Sequence, residues 1–147
     1  MYITQALKRN VQLFPNKTST AYLDRSFTWK ESLERISKID ISVGDRVAIL
    51  AHNSDRYFEF LYSVSWAGAV FVPINTRLAP PEIEFWINDS ESKLLFVDKN
   101  FAEIVINLKK ENKISSVKNI VYLSDDACPD NMINYEDLIT NETSEDS

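Results

Sequence analysis

The chain has 147 residues, of which 44% are hydrophobic and 26% charged, a balance that suits one soluble globular domain with a substantial core. A net charge of −6 without a basic stripe excludes nucleic acid as a favoured partner. One cysteine and one histidine exclude an internal disulfide and a convincing zinc site. The lack of an export signal or a membrane-spanning apolar run favours a cytoplasmic protein.

The first elements predicted along the chain are a helix and a small hairpin. Apolar residues recur at helical spacing over residues 4–14, which predicts a helix. Residues 18–23 favour a strand, and the turn-forming residues 24–26 lead into a second strand, which predicts a β-hairpin. Thr28 and Glu31 have the spacing of a capping box, so a second helix is expected to begin there.

The stretch from residue 44 to residue 75 predicts a strand, a helix and a second strand. Residues 47–51 are continuously apolar, as in a strand buried on both faces. Gly68 suits the left-handed residue that ends a helix, and residues 69–74 are again apolar. Short links between these elements indicate a right-handed crossover and therefore a parallel sheet.

The helix of this unit has a predicted sheet-facing side. Ser54 can cap its start, with Asp55 next to the positive end of the helix. Four residues recur at helical spacing and are predicted to lie on the sheet: Phe58, Leu61, Tyr62 and Ser65. On this pattern Arg56 and Glu59 point away from the sheet.

The remaining elements repeat the same architecture. A helix is predicted to begin at Pro80–Pro81, with Ile83, Trp86 and Ile87 on its buried side. Further strands are predicted at residues 94–97 and 120–123, with a helical apolar stripe between them. The strand starts lie about two dozen residues apart, as in repeated βαβ units. The predicted fold class is α/β: a parallel βαβ sheet flanked by helices, with a small N-terminal hairpin.

The search for reactive groups yields no catalytic, cofactor-binding or metal-ligating residue. A phosphate-cradling loop needs several glycines, and the chain has only Gly44 and Gly68, neither in a phosphate-binding motif. Classical nucleotide binding by such a loop is therefore not expected. Three aromatic residues that could form a stacking platform are interpreted instead as core residues: Trp29, Trp66 and Trp86.

Three other candidate features also favour structural interpretations. His52 follows a strand, where open α/β sheets place ligands, but it is interpreted as a loop residue covering a helix start. Cys128 has no His or Lys close by in sequence and is interpreted as incidental. The acidic residues Asp125, Asp126 and Asp130 lack the glycine and glutamate of a calcium loop, which favours a solvated acidic loop.

Five segments together resemble a known enzyme superfamily. They are FTWKESL (27–33), VGDRVAIL (43–50), SWAGAVFVPIN (65–75), NTRLAPPEIEFWINDSESKLLFVD (75–98) and YEDL (135–138). In this order they resemble the AMP-forming adenylating enzymes, which include acyl-CoA synthetases, peptide-synthetase adenylation domains and firefly luciferase. The second and fourth segments are similar to the acyl-CoA synthetase branch.

The resemblance implies a part of the N-terminal domain of an acyl-CoA synthetase, over residues 1–139, followed by a disordered acidic tail at residues 140–147. Such enzymes use ATP and Mg²⁺ to convert a carboxylic acid into an acyl-adenylate, then transfer the acyl group to coenzyme A. The motifs that bind these groups lie further along the family's chains. The resemblance therefore implies that this segment binds no cofactor and is inactive alone.

Two alternatives and one departure from the family pattern accompany this interpretation. The chain could be a non-catalytic module, or pseudo-enzyme, that binds a full-length relative or another protein through the face the rest of the domain would cover. A free-standing flavodoxin-like binding domain is disfavoured by the absence of a ligand loop. The helix after Thr28 is shorter than in the family, so Ile39 and Ile41 are expected to replace its apolar cover.

Overall fold

The computed structural model describes residues 2–141, which form six helices and seven strands. The helices are α1 (Thr4–Leu13), α2 (Trp29–Ser37), α3 (Asp55–Trp66), α4 (Pro80–Asp89), α5 (Ala102–Lys110) and α6 (Tyr135–Asn141). The strands are β1 (Thr18–Tyr22), β2 (Arg25–Thr28), β3 (Arg46–Leu50), β4 (Val70–Pro73), β5 (Leu94–Val97), β6 (Asn119–Tyr122) and β7 (Ile133–Asn134). Within the described range, no helix is both long and apolar enough to cross a membrane.

The main sheet has five parallel strands in the order β4-β3-β5-β6-β7, and β1 pairs with β2 in a separate antiparallel hairpin. This confirms the predicted α/β class, the parallel sheet and the N-terminal hairpin. Sequence reasoning missed β7, because two residues are too few to show a strand period. The division at residue 139 stays a prediction, and most of the predicted tail lies outside the described residues.

The central strand β3 divides the apolar core into two clusters. Ala48 and Leu50 point into a cluster with α4 and α5, whereas Val47 and Ile49 point into a cluster with α3 and α6. All four side chains have no exposed surface. A strand buried on both faces needs apolar side chains at every position, which explains the unbroken apolar run in the sequence.

The helix α3 is buried on two sides, which overturns its predicted orientation. Phe60 and Val64 face the sheet-side cluster, and Arg56, Glu59 and Ser63 are also buried. The predicted sheet-facing residues Phe58, Leu61, Tyr62 and Ser65 are only partly buried. The prediction was wrong because α1 and α2 pack on the other side of α3, so a polar stripe is buried too.

The helix α4 buries a narrower face than predicted. Ile83 and Ile87 are fully buried, as expected, but Trp86 is 49% exposed. Trp66 is 38% exposed, so these two tryptophans are not core residues. Ile83 and Ile87 are one helical turn apart and suffice to cover the sheet at this point, while Trp86 makes an edge-on contact with Phe85.

Local signals placed several boundaries correctly. Thr28 and Glu31 form the predicted capping box at the start of α2. Gly68 follows α3 with φ +72°, in the left-handed region that favours glycine. The hairpin turn falls one residue earlier than predicted, with Leu23 at φ +54°.

Two further features shape the edges of the sheet unit. Ile39 is buried in the α3-side cluster and Ile41 packs against it, so both supply the apolar cover predicted for them. Pro73 ends the edge strand β4. The amide of Val70 donates to Asp45, directly before β3, and the amide of Ile74 donates to Ile49 in β3. The alternate position, Pro73, therefore faces outward, where no ladder donor is lost.

We predict that Phe96→Ala destabilises the chain by about 3–5 kcal/mol, because it removes a fully buried ring and leaves a cavity in the core. Phe96 is fully buried between Phe60 and Tyr135, with ring centroids 4.9 and 6.3 Å away. Urea unfolding followed by circular dichroism measures the change. Phe85→Ala is the matched control, since Phe85 is 60% exposed and should change stability by less than about 0.5 kcal/mol. Equal effects of the two substitutions would contradict this account of the core.

Candidate functional site

A crevice opens at the carboxyl ends of β3 and β5. The helix α3, which follows β3, covers one face of the sheet, and α5, which follows β5, covers the other. The loops leaving these two neighbouring strands therefore diverge. In open α/β sheets this reversal of strand order is where ligands bind.

The crevice has a volume of about 290 Å³ and walls from four parts of the chain. Its floor lies at the ends of β3, β5 and β6, where it is lined by His52, Asp98 and Ser124. The turn of the N-terminal hairpin, with Tyr22 and Leu23, forms a further wall. The hairpin thus lies over the edge of the sheet at which a ligand would enter.

The polar groups of the crevice floor are engaged in holding the loops together. One carboxylate oxygen of Asp98 accepts the amide of His52 at 2.8 Å, and the other accepts the amide of Asn100 at 2.9 Å. The hydroxyl of Ser124 accepts the amide of Lys99 at 2.8 Å. Asp98 therefore joins the ends of β3 and β5 and fixes the shape of the crevice.

The sequence candidates near the crevice have structural roles. His52 is exposed, and its ring packs on Phe101 with 5.2 Å between centroids, before α5 rather than at the start of α3. The cap of α3 is Ser54, whose hydroxyl accepts the amide of Tyr57. Cys128 is partly buried; its thiol lies 3.5 Å from the carbonyl oxygen of Met132, and burial raises its pKa.

The acidic loop is exposed to solvent, as the sequence predicts, and two of its carboxylates also have partners within the chain. Asp125 contacts Arg25 and Arg56, and Asp126 accepts the phenol of Tyr122 at 2.6 Å. Burial, together with Asp126, raises the pKa of Tyr122 to about 12. Among residues 2–141 no group of three or more side chains could hold a metal ion.

Beside the crevice lies a network of seven charged side chains that sequence reasoning did not predict. We call it the ion network: Arg25, Arg35, Asp55, Arg56, Glu59, Asp125 and Glu136. It joins the hairpin, α2, α3, the loop after β6 and α6. The available signal was the spacing of Asp55, Arg56 and Glu59, which places all three on one side of a helix.

Two arginines of the N-terminal elements make the paired contacts of this network. Arg35 bonds Glu59 at 2.7 and 3.1 Å, and Glu136 at 2.9 and 2.8 Å. Arg25 bonds both carboxylate oxygens of Asp55 at 2.9 Å. Such two-point contacts fix orientation and are stronger than single hydrogen bonds.

Arg56 occupies the centre of the ion network. It donates to the carbonyl of Leu123 at 2.6 Å and to Glu136 at 3.0 Å, and its guanidinium lies 5.5 Å from the ring centroid of Tyr135. Buried charges are tolerated only when they are paired and hydrogen-bonded, and these contacts provide that pairing.

The pKa values of the acidic residues in the ion network are shifted in different directions. Burial raises the pKa of Glu59, although Arg35 opposes the change. Glu136 is also partly desolvated, yet Arg35 and Arg56 hold its pKa below the ordinary value. The hydrogen bond from Arg25 is the main cause that lowers the pKa of Asp125.

Comparison with known proteins gives a family match along nearly the whole chain. The family model of the AMP-binding enzymes matches residues 7–146. A butyrate–CoA ligase of Arabidopsis thaliana, described as peroxisomal, is 38% identical over 106 residues, covering 67% of this chain and 18% of that protein. A 4-hydroxybutyrate–CoA ligase of Metallosphaera sedula is 30% identical over 132 residues, covering 85% of this chain and 23% of that protein.

A solved structure shows the same arrangement of elements. The chain superposes on a fatty acyl-CoA synthetase of Mycobacterium tuberculosis with a TM-score of 0.74 and 28% identity, covering 83% of this chain and 26% of that one. The chain thus spans between about a sixth and a quarter of the length of these relatives.

We predict that the free energy of unfolding falls as the pH drops below the ordinary pKa values of Asp125 and Glu136, 3.8 and 4.5. Carboxyl groups whose pKa is lowered in the folded chain stabilise it above those values, and the gain is lost as pH falls through the folded pKa. Glu59, with a raised pKa, acts in the opposite direction.

Urea unfolding between pH 7 and pH 3 measures this dependence. Glu136→Gln should show a smaller acid-induced loss than the unsubstituted chain. Glu91→Gln is the control, because Glu91 is 73% exposed in its pair with Arg46 and should leave the pH dependence unchanged. An unchanged pH dependence in Glu136→Gln would refute the assignment.

Proposed function

Because the chain belongs to the AMP-binding family of enzymes, we propose that it supplies the N-terminal scaffold of an ATP-dependent, AMP-forming acyl-CoA synthetase. The observation that carries the proposal is the β3–α3–β4–α4–β5 unit: it lies within the matched residues and forms the core of the parallel sheet. The relatives' names describe ligases that join acids to coenzyme A, which supports this reaction class for the whole enzyme.

The residues at the crevice do not fit a nucleotide phosphate group. Both glycines of the chain precede strands, Gly44 before β3 and Gly68 before β4, and are hydrogen-bonded to each other at 3.0 Å. They therefore lie at the amino edge of the sheet, opposite the crevice. The crevice lining also carries three aspartates against two cationic side chains, Arg25 and Lys99. We infer that this segment is inactive alone and that ATP, Mg²⁺, coenzyme A and the acid are bound by other parts of the enzyme.

The setting we propose for the enzyme is the cytoplasm, with a carboxylic acid such as a fatty acid as its substrate class. A single partly buried cysteine is typical of a reducing compartment and supports the first part of this proposal.

We predict that the isolated chain forms no acyl-CoA from ATP, Mg²⁺, coenzyme A and butyrate, whereas a chimera does. In the chimera this chain replaces the matching segment of the Arabidopsis butyrate–CoA ligase. If the segment is a scaffold, the chimera should make butyryl-CoA, measured by liquid chromatography. Product from the isolated chain would refute its inactivity. A folded chimera without activity, beside an active unsubstituted ligase, would refute the scaffold role.

An alternative function as a non-catalytic interaction module is favoured by one observation. Several large apolar side chains near the edge strand β4 are exposed: Val43, Trp66, Val70 and Phe71. Val43 lies against Gly68, which brings it close to the end of α3 and the start of β4. An apolar group at one sheet edge is typical of a surface that another protein covers.

We predict that, if this alternative holds, the fluorescently labelled chain binds a full-length acyl-CoA ligase in sedimentation velocity. Val70→Lys should weaken this binding at least about tenfold, because it places a charge in the apolar surface. Leu13→Lys is the control, since Leu13 is 56% exposed at the end of α1. Absence of binding by the unsubstituted chain, or equal weakening by both substitutions, would contradict the interaction function.

A further inference from the structure

The N-terminal elements stand apart from the apolar core of the sheet. Both clusters of buried apolar side chains draw their members from residues 39–139. Leu7 and Ile36 are buried but belong to neither cluster. We call residues 4–37, which comprise α1, β1, β2 and α2, the cap.

Polar side chains form part of the surface between the cap and the rest of the molecule. It packs on α3, whose buried polar residues there include Asp55, Glu59 and Ser63. The contacts that cross this surface include the two-point pairs of Arg25 and Arg35. Separating two apolar surfaces exposes them to water and costs free energy. The polar groups between the cap and α3 would instead be hydrated again when the cap separates, which offsets part of the cost.

A single residue, Lys38, connects the cap to the part of the chain that is anchored in the core. The helix α2 ends at Ser37, and Ile39 is anchored in the α3-side cluster two residues later. Only Lys38 lies between the last residue of α2 and the anchored Ile39. A pivot of the cap at Lys38 would leave Ile39 in place.

Because the hairpin forms one wall of the crevice, movement of the cap would change the crevice. Tyr22, Leu23 and Arg25 of the hairpin line the crevice opposite His52 and Asp98. Leu23 projects at the turn, with 79% of its surface exposed. Displacement of the cap would remove one wall of the crevice and open the carboxyl edge of the sheet to solvent.

We propose that the cap opens and closes as a unit over the crevice, pivoting after Ser37, with Arg25 and Arg35 as the contacts that hold it closed. Opening breaks the pairs of Arg25 and Arg35 with their four acidic partners, Asp55, Glu59, Asp125 and Glu136, and leaves the sheet and both apolar clusters intact. Its free-energy cost is therefore below that of global unfolding, as expected of a local opening unit. The cap controls access to the crevice.

Hydrogen–deuterium exchange of the full chain tests this proposal, with mass spectrometry resolving peptides of the cap and of β3 and β5. Amides of α1, the hairpin and α2 should exchange together, faster than those of β3 and β5. Arg35→Gln should accelerate exchange in the cap at least about tenfold and leave β3 and β5 unchanged. The physical reason is that Glu59 is then buried without its partner until the cap opens.

Arg46→Gln is the matched control. Arg46 pairs with Glu91 at an exposed site at the start of β3, so its loss should change neither group of peptides. Equal acceleration of cap and sheet in Arg35→Gln would overturn the proposal. Should that variant fail to fold, exchange of the unsubstituted chain in low urea decides: a weaker urea dependence for the cap than for the sheet supports a separate opening, and a common dependence overturns it.

Discussion

The structure depends on the pairing of charges that α3 carries into the interior. Asp55, Arg56 and Glu59 each have at most 4% of their surface exposed, and an unpaired charge at such a depth would cost several kcal/mol. Their partners come from the hairpin, α2 and the C-terminal part of the chain. Arg35 of α2 pairs with Glu136 of α6, which lies 101 positions further along the chain, so one guanidinium links an N-terminal element to a C-terminal one.

The elements that sequence reasoning placed correctly are those governed by neighbouring residues. The strands β3 and β5 are continuous apolar runs, because both of their faces are covered. Gly68 and the pair Thr28–Glu31 mark helix ends through backbone conformation and hydrogen bonds within three residues. The five motifs between residues 27 and 138 indicated the family, which the family match confirmed.

The errors arose where a distant part of the chain decides the environment of a residue. Glu59 looks like a surface residue in sequence, and only the approach of Arg35 makes its burial possible. The short strand β7 forms because β6 offers it an edge. The crevice itself combines loops from β3, β5 and the hairpin, and its polar residues hold loops in place, so no motif could reveal it.

Pro73 has a consequence for how molecules of this protein can associate. On the outer side of β4, Phe71 offers an amide hydrogen, but two residues further the ring of Pro73 offers none. A strand from another molecule would find an interrupted ladder there, which disfavours fibre-like growth. The exposed apolar side chains nearby remain able to make contacts. The β4 edge is therefore suited to reversible, side-chain-mediated assembly and resists the open-ended stacking of strands.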